Sequence, residues 1–426
     1  MTVVPSAGSV RGSRLIVAGG NFLQFFDWIL YSLLAPVFAT QFFGGDRLSA
    51  AFQAFLVYGG SLLLRPLGGA LVGRFADRHG RRRALMIGVG AAGVASLAIA
   101  VLPGRSTIGV AAPVLLVLAR ALAALAFGGE WPTAVTYLME SARRGTRLVQ
   151  GSYFVLTCTA GGFAASALGT LMSATLGPAA LQDWGWRVPF AVAGVTSLVL
   201  CVLRRGLAET PAYLGAGPVE PAERRPGSIR PALAVAALAA AASVTTTTFS
   251  VTVPAIAQDR LGASPTVVLG ANTVVTGALV VLVLPIGLLA QRFGLHRTLA
   301  FTSIGFVVAV PALYLTIRPT FGGLLLASGV GMLLSTTQGV TLPEAMASVF
   351  PARRRGFGVG LSQGIADAVF GGFAPSAALA LAASGRDGWY VAIVCGLVLL
   401  GWGAIAVVLR STAGHQLDPL PTDVTV

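Results

Sequence analysis

The 426-residue sequence contains no lysine, only three cysteines and three histidines, and few charged residues of any kind. Charged residues make up 10% of the chain and hydrophobic residues 55%, and the mean hydropathy is +0.81. A soluble domain of this length needs far more charge on its surface. The cysteines lie inside apolar runs at unrelated spacings, which argues against a disulfide framework or a cysteine metal site. The composition therefore predicts an all-α, multi-pass membrane protein.

The chain also lacks the motifs that mark common enzymes. It has no HExxH or paired CxxC spacing, no phosphate-binding loop and no recognisable nucleophile–base set. We therefore expect no enzymatic activity, no metal and no cofactor, with a proton gradient as the source of energy. The net charge of +14 is typical of nucleic-acid-binding proteins. Here the arginines cluster between apolar runs, so we expect the lipid bilayer as partner and no nucleic acid.

Apolar runs long enough to span a bilayer recur twelve times along the chain. They divide it into a first six-helix half at 1–205, a cytoplasmic linker at 206–230 and a second six-helix half at 231–426. Arginines concentrate in every second loop, which predicts that both termini lie in the cytoplasm. The predicted spans are 14–42, 49–74, 84–103, 110–139, 149–175, 186–205, 231–257, 265–291, 298–317, 321–349, 357–383 and 388–410.

A short polar stretch between the second and third spans reads G-x-x-x-D-R-x-G-R-R over residues 73–82. Its arginines are too costly for hydrocarbon, so we expect a tight cytoplasmic loop. Its acid, Asp77, is placed to cap the following helix or to pair with the arginines at 353–355. A weaker copy at 287–297, with Gln291 in place of the acid, indicates an internal repeat. The predicted cytoplasmic gate consists of Gly73, Asp77, Arg78, Gly80, Arg81 and Arg355.

Several ionisable residues lie inside the predicted spans, where they are functional candidates by default. From their depth along the helices we expect two ion pairs, Asp27 with Arg120 and Arg65 with Glu130. An acid that exchanges its arginine for a proton can couple transport, and the arginine can bind a carboxylate. Purely structural salt bridges are the alternative. The predicted proton-coupling residues are Asp27, Glu130 and Asp367, and the predicted substrate-binding residues are Arg65, Arg120, Asn21, Gln24, Tyr31, Asn272, Gln338 and Gln363.

The stretch at 73–82 resembles a loop signature of the major facilitator superfamily of transporters. Residues 20–27, 65–69, 128–131, 184–190 and 370–372 resemble motifs of its metabolite:proton symporter family, in the same order. That family includes bacterial permeases for alpha-ketoglutarate, citrate, shikimate and proline or betaine, and the chain looks most like the first group. The resemblance implies proton-coupled uptake, with Asp27, Arg120 and Glu130 at family positions. Gln24 stands where the family usually has Glu, and Asp367 where that first group has an amide.

The predicted function is proton-coupled symport of a small organic acid, a di- or tricarboxylate or an oxo-acid, by a monomer working through alternating access. A zwitterionic osmolyte such as proline or betaine is the alternative substrate. An exporter or antiporter of the same superfamily is a second alternative, although two buried arginines argue against it. A membrane receptor that senses a solute without moving it is a third.

Overall fold

The computed structural model describes residues 7–44, 47–142, 145–215, 229–259 and 261–411. Residues 216–228 of the predicted linker, and Arg143 and Arg144, lie outside the described residues. The described chain is built from helices, with short turns between them. The main helices are α1 (Ala7–Phe42), α2 (Arg47–Leu62), α3 (Arg65–His79), α4 (Arg81–Val101), α5 (Ala111–Glu140), α6 (Arg147–Ala180), α7 (Arg187–Leu203), α8 (Arg230–Thr247), α9 (Pro265–Phe293), α10 (Leu295–Tyr314), α11 (Phe321–Ser348), α12 (Arg355–Ala366), α13 (Gly372–Ala383) and α14 (Asp387–Ser411).

These helices form the twelve spans of a membrane protein built from two six-helix halves. Ten stretches of the described residues are long and apolar enough to cross a bilayer. The α1 helix and the α2–α3 pair supply the other two spans. Some spans consist of more than one helix, since α2 and α3 are separated at Leu63 and Leu64, and a π-helical turn at Asp367–Gly371 separates α12 from α13. In the span of α8, a π-helical turn at Thr248–Thr252 leads into a further short helix, Val253–Asp259. Turns of this kind are common at functional sites.

The predicted loop at 73–83 is wrong, because nearly all of it is helical. Helix α3 continues to His79 and α4 begins at Arg81, so Gly80 alone forms the turn, with a φ of 99°. Only glycine adopts such a φ without strain. The second copy repeats this arrangement, with Gly294 at a φ of 81° between α9 and α10. Arg74, Arg78 and Arg83 are exposed there, whereas Arg81 is buried.

The two halves meet along α3 with α12 and along α6 with α9. The first contact is made by backbone against backbone. A Cβ atom added to Gly360 of α12 would lie 2.5 Å from the carbonyl oxygen of Gly69, and one added to Gly356 would lie 2.9 Å from that of Gly73. Glycines on both helices therefore allow α3 and α12 to close against each other at the end of the molecule that carries the arginine-rich motif, here called the arginine-rich end.

Candidate functional site

The predicted pair of Asp27 and Arg120 is confirmed. Nη1 of Arg120 on α5 lies 3.1 Å from Oδ2 of Asp27 on α1, and Ser96 of α4 donates a hydrogen bond to Oδ1 of the same carboxylate. The Arg120 side chain is fully buried and the Asp27 side chain is 13% exposed. A charge in such an environment depends strongly on its partner, because little water is available to solvate it. Protonation of Asp27 would therefore change the surroundings of Arg120 directly.

A small polar cavity lies beside Asp27. Its volume is about 10 Å³, and its lining includes Gln24, Ser96 and Ser197. A cavity of this size admits about one water molecule. The Gln24 side chain is buried, and neither of its polar atoms has a hydrogen-bond partner among the described residues. The predicted site residue Gln24 thus lies next to the predicted proton-coupling carboxylate.

The predicted pair of Arg65 and Glu130 is wrong. Glu130 of α5 instead faces Arg204, with 2.6 Å between Oε1 and Nη1 and no exposure of either side chain. Arg204 also donates to the carbonyl oxygens of Val17 and Leu85, so it joins α1, α4 and α5 within the first half. Depth along a helix predicted the height of Glu130 in the membrane but not the direction in which its side chain points.

Arg65 faces the second half of the molecule. Its Nη1 lies 3.7 Å from Oδ2 of Asp367, and its Cζ lies 4.2 Å from the ring centre of Trp28 and 4.0 Å from that of Phe127. Oδ1 of Asp367 accepts hydrogen bonds from Gln363 at 2.8 Å and from Ser243 at 2.5 Å. The structure thereby joins three predicted site residues, Arg65, Asp367 and Gln363, across the interface between the halves.

The other predicted site residues lie around this centre or apart from it. Tyr31 is buried with its ring 4.2 Å from Cζ of Arg120. Asn21 is buried and donates to Thr157 at 2.9 Å inside the first half. Gln338 is buried and accepts from Thr245 at 3.3 Å in the second half. Asn272 is half-buried on α9, and within the described residues no hydrogen bond or ion pair links it to Arg65 or Asp367.

The arginine-rich end is closed by Asp77. Its carboxylate accepts the backbone N–H groups of Gly356 at 3.0 Å and Phe357 at 2.8 Å, at the start of α12, and it pairs with Arg81 at 3.0 Å. Asp77 lies beyond the predicted membrane span of its helix, and burial raises its pKa to about 6, although Arg81 and the two N–H groups favour the charged form. The expected cap on the following helix is wrong, because α4 has no side-chain cap and Asp77 caps α12 of the second half instead. The expected pairing of Asp77 with the arginines at 353–355 is replaced by bonds to the backbone.

Glu140 is the acid that binds Arg355, and the sequence reasoning missed it. Its Oε1 lies 2.6 Å from Nη1 of Arg355 in the second half and 3.2 Å from Nη2 of Arg81 in the first. The Glu140 side chain is fully buried. Arg78 is exposed and offers its backbone carbonyl to the hydroxyl of Tyr213 at 2.9 Å. An acid at the end of a long apolar helix, facing arginine-rich loops, was the available signal for Glu140.

The second copy of the motif repeats the capping geometry of the first. Oε1 of Gln291 accepts the backbone N–H of Leu148 at 3.0 Å, at the start of α6. Asp77 therefore caps a helix of the second half, and Gln291 caps a helix of the first. Among the described residues, no three His, Cys, Asp or Glu side chains come close enough to hold a metal ion. The geometry is that of paired charges at an interface between two halves.

Comparisons with known proteins identify the family. Residues 14–224 match the family model described as "Sugar (and other) transporter". The chain is 34% identical over 401 residues to the alpha-ketoglutarate permease of Escherichia coli (strain K12), and this alignment covers 90% of each chain. It is 30% identical over 418 residues to the citrate-proton symporter of Salmonella typhi, which covers 93% of this chain and 94% of the relative. The chain belongs to the metabolite:proton symporter family of the major facilitator superfamily.

Solved structures show the same fold. The proton:xylose symporter XylE bound to 6-bromo-6-deoxy-D-glucose superimposes with a TM-score of 0.79 at 15% identity, over 95% of this chain and 96% of that one. The human organic anion transporter MFSD10 has a TM-score of 0.64 at 14% identity, over 92% and 99% of the two chains. This symporter-family member is thus a multi-pass inner-membrane transporter with the twelve-helix fold.

Proposed function

We propose that this transporter carries a small organic anion, a di- or tricarboxylate or an oxo-acid, together with protons into the cytoplasm. The buried pair of Asp27 and Arg120 carries the proposal. Protonation of Asp27 would remove the negative charge that lies 3.1 Å from Arg120. Proton binding to Asp27 and the charge balance of Arg120 are therefore linked. The relatives named above for alpha-ketoglutarate and for citrate with protons support the same assignment.

Each half contributes distinct groups to this mechanism. Asp27 takes up the proton and Arg120 is its counter-ion inside the first half. Arg65, at the interface, binds the substrate carboxylate, since an arginine can hold a carboxylate by two parallel hydrogen bonds. Glu130 is buried against Arg204 and holds the first half together, in place of the proton-coupling role expected from the sequence. The other residues that line the path are Asn21, Gln24, Tyr31, Asn272, Gln338 and Gln363, with Asp367 as the partner of Arg65.

The gate and the orientation complete the proposal. The loop arginines favour an orientation in which the arginine-rich end and both termini face the cytoplasm. In this orientation Asp77 and Glu140 close the cytoplasmic side. The two halves rock about the central site in alternating access. The protein works as a monomer without any cofactor other than the proton gradient.

A zwitterionic substrate is disfavoured by the aromatic rings of the site. The proline/betaine transporter of Escherichia coli (strain K12) is 30% identical over 207 residues, which cover 48% of this chain and 41% of the relative. A quaternary ammonium group binds on the faces of aromatic rings. Here the guanidinium groups of Arg65 and Arg120 lie 4.2 and 5.0 Å from the ring centre of Trp28. Two cations already contact this ring, which favours an anionic substrate.

The test is uptake of radiolabelled 2-oxoglutarate and citrate by proteoliposomes under an imposed pH gradient. We expect the wild type to accumulate at least one of them and Asp27→Asn to lose this accumulation. Asp27→Asn should still exchange labelled for unlabelled substrate, because its binding arginine at position 65 is intact. Asp387→Asn, which removes an acid from the first turn of α14, is the matched control. Full gradient-driven accumulation by Asp27→Asn would refute the role of Asp27.

A further inference from the structure

The ion pair between Arg65 and Asp367 is looser than the other pairs of the transporter. The distance of 3.7 Å between Nη1 of Arg65 and Oδ2 of Asp367 exceeds a hydrogen bond. The other oxygen of Asp367 is bonded within its own half, to Ser243 and Gln363 at 2.5 and 2.8 Å. Asp367 is therefore fixed in the second half by one oxygen and reaches across the interface with the other.

This pair lies where the closed contact between α3 and α12 ends. Below it, the backbones touch from Gly73 with Gly356 as far as Pro66 with Gly364, where a Cβ atom added to Gly364 would lie 2.6 Å from Cα of Pro66. The Arg65 and Asp367 side chains are 10% and 22% exposed, whereas those of Glu130 and Arg204 are completely enclosed. Arg65 therefore keeps more exposure than Arg120 or Arg204.

The aromatic neighbours of Arg65 lie over the flat face of its guanidinium. Trp28 and Phe127 lie over its guanidinium, with ring centres at 4.2 and 4.0 Å from Cζ. Rings contact the flat face of a guanidinium, while its N–H groups point outward in the plane and match the geometry of a carboxylate. Asp367 meets Arg65 with a carboxylate oxygen, which is the same chemical group that an organic acid would present.

We propose that the carboxylate of Asp367 stands in for the substrate on Arg65 in the empty transporter, and that a carboxylate group of the organic anion displaces it. This inference rests on the proposed function. The displaced Asp367 keeps its bonds to Ser243 and Gln363, so it has partners in both states. A solute without a carboxylate cannot compete for Arg65 in this way. Asp367 therefore selects for anions. It also weakens their apparent binding, because only the fraction of molecules in which Asp367 has left Arg65 can bind substrate there.

Equilibrium binding of radiolabelled 2-oxoglutarate and citrate to the purified full-length protein tests this inference. If Asp367 contacts Arg65 in about nine of ten empty molecules, Asp367→Asn should bind the preferred carboxylate about tenfold more tightly. Asp367→Glu keeps the competing carboxylate and should bind like the wild type. Asp387→Asn makes the same charge change in the first turn of α14 and should show no gain. A purely structural role for Asp367 predicts unchanged or weaker binding, so tighter binding separates the two roles.

The outcomes distinguish this inference from the proposed function. Tighter binding by Asp367→Asn alone supports it. An equal gain in Asp387→Asn, or no gain in Asp367→Asn while the wild type binds and accumulates the carboxylate, overturns this inference and leaves the proposed function standing. A wild type that binds neither carboxylate overturns both. Should Asp367→Asn not fold, Asp367→Ser serves as the second variant under the same criteria.

Discussion

At the scale of single residues, the transporter separates charges that respond to solutes from charges that hold the structure. Asp27 and the pair of Arg65 with Asp367 keep some exposure. Glu130 and Arg204 have none and lie 2.6 Å apart. A fully enclosed pair contributes little net stability, but removal of one partner leaves an uncompensated buried charge. Among the pairs inside the predicted spans, exposure therefore separates Asp27–Arg120 and Arg65–Asp367 from the fully enclosed pair of Glu130 and Arg204.

The structural role of Glu130 predicts a large loss of stability on its removal. Glu130→Gln should leave Arg204 charged and without its counter-ion, which costs about 3–5 kcal/mol. Unfolding of the purified protein in detergent by heat and by denaturant measures this loss. Glu344→Gln, at a half-buried acid of α11, serves as the control and should lose much less. A loss of less than about 1 kcal/mol for Glu130→Gln would show that the pair does not hold the first half together.

The sequence predicted one of the two ion pairs correctly, because matching depth along the helices was enough to identify the pair of Asp27 and Arg120 but not the partner of Glu130. Asp27 and Arg120 lie at matching heights on helices that face each other, and they pair. Arg65 and Glu130 also match in height, but the Glu130 side chain points into the first half, toward Arg204. Height follows from the rise of 1.5 Å per residue, whereas direction depends on how each helix is rotated against its neighbours. That rotation comes from packing that no single sequence displays.

At the scale of helices, the glycines of α3 and α12 control the closed contact between the halves. Gly360→Ala would place a Cβ atom 2.5 Å from the carbonyl oxygen of Gly69, so the two helices must separate. We expect lower uptake at equal expression and faster hydrogen–deuterium exchange at residues 355–366. Gly403→Ala on α14 is the matched control, because nothing lies within 4 Å of its added Cβ atom. Unchanged exchange in Gly360→Ala would contradict the tight contact.

The twelve spans could be predicted from the sequence, but their irregular points could not. Apolar runs of sufficient length predict spans directly. The separation of α2 from α3 just before Arg65, and the π-helical turn that begins at Asp367, carry no comparable signal. The extension of α3 to His79 was missed for a different reason, since a run of arginines was assumed to form a loop although arginine is a good helix former.

At the scale of the whole molecule, closure of the arginine-rich end depends on bonds that cross between the halves. Asp77 accepts the N–H groups of Gly356 and Phe357, and Glu140 pairs with both Arg81 and Arg355. The second copy of the motif uses the neutral Gln291 for the corresponding contact with Leu148. The two copies of the motif therefore share the same capping geometry, whereas the acidic side chain is found in the first copy.

The position of Glu140 between two arginines predicts that its neutralisation opens this side. Glu140→Gln leaves Arg355 without its paired acid and Arg81 with Asp77 alone, so the contact carries excess positive charge and the two arginines repel across the interface. Faster hydrogen–deuterium exchange is expected at residues 65–79 and 355–366, together with reduced accumulation under a pH gradient. Asp183→Asn makes the same charge change at the exposed outer end and should change neither measurement. If Glu140→Gln exchanges hydrogen for deuterium like the wild type at both segments, Glu140 does not hold the gate closed.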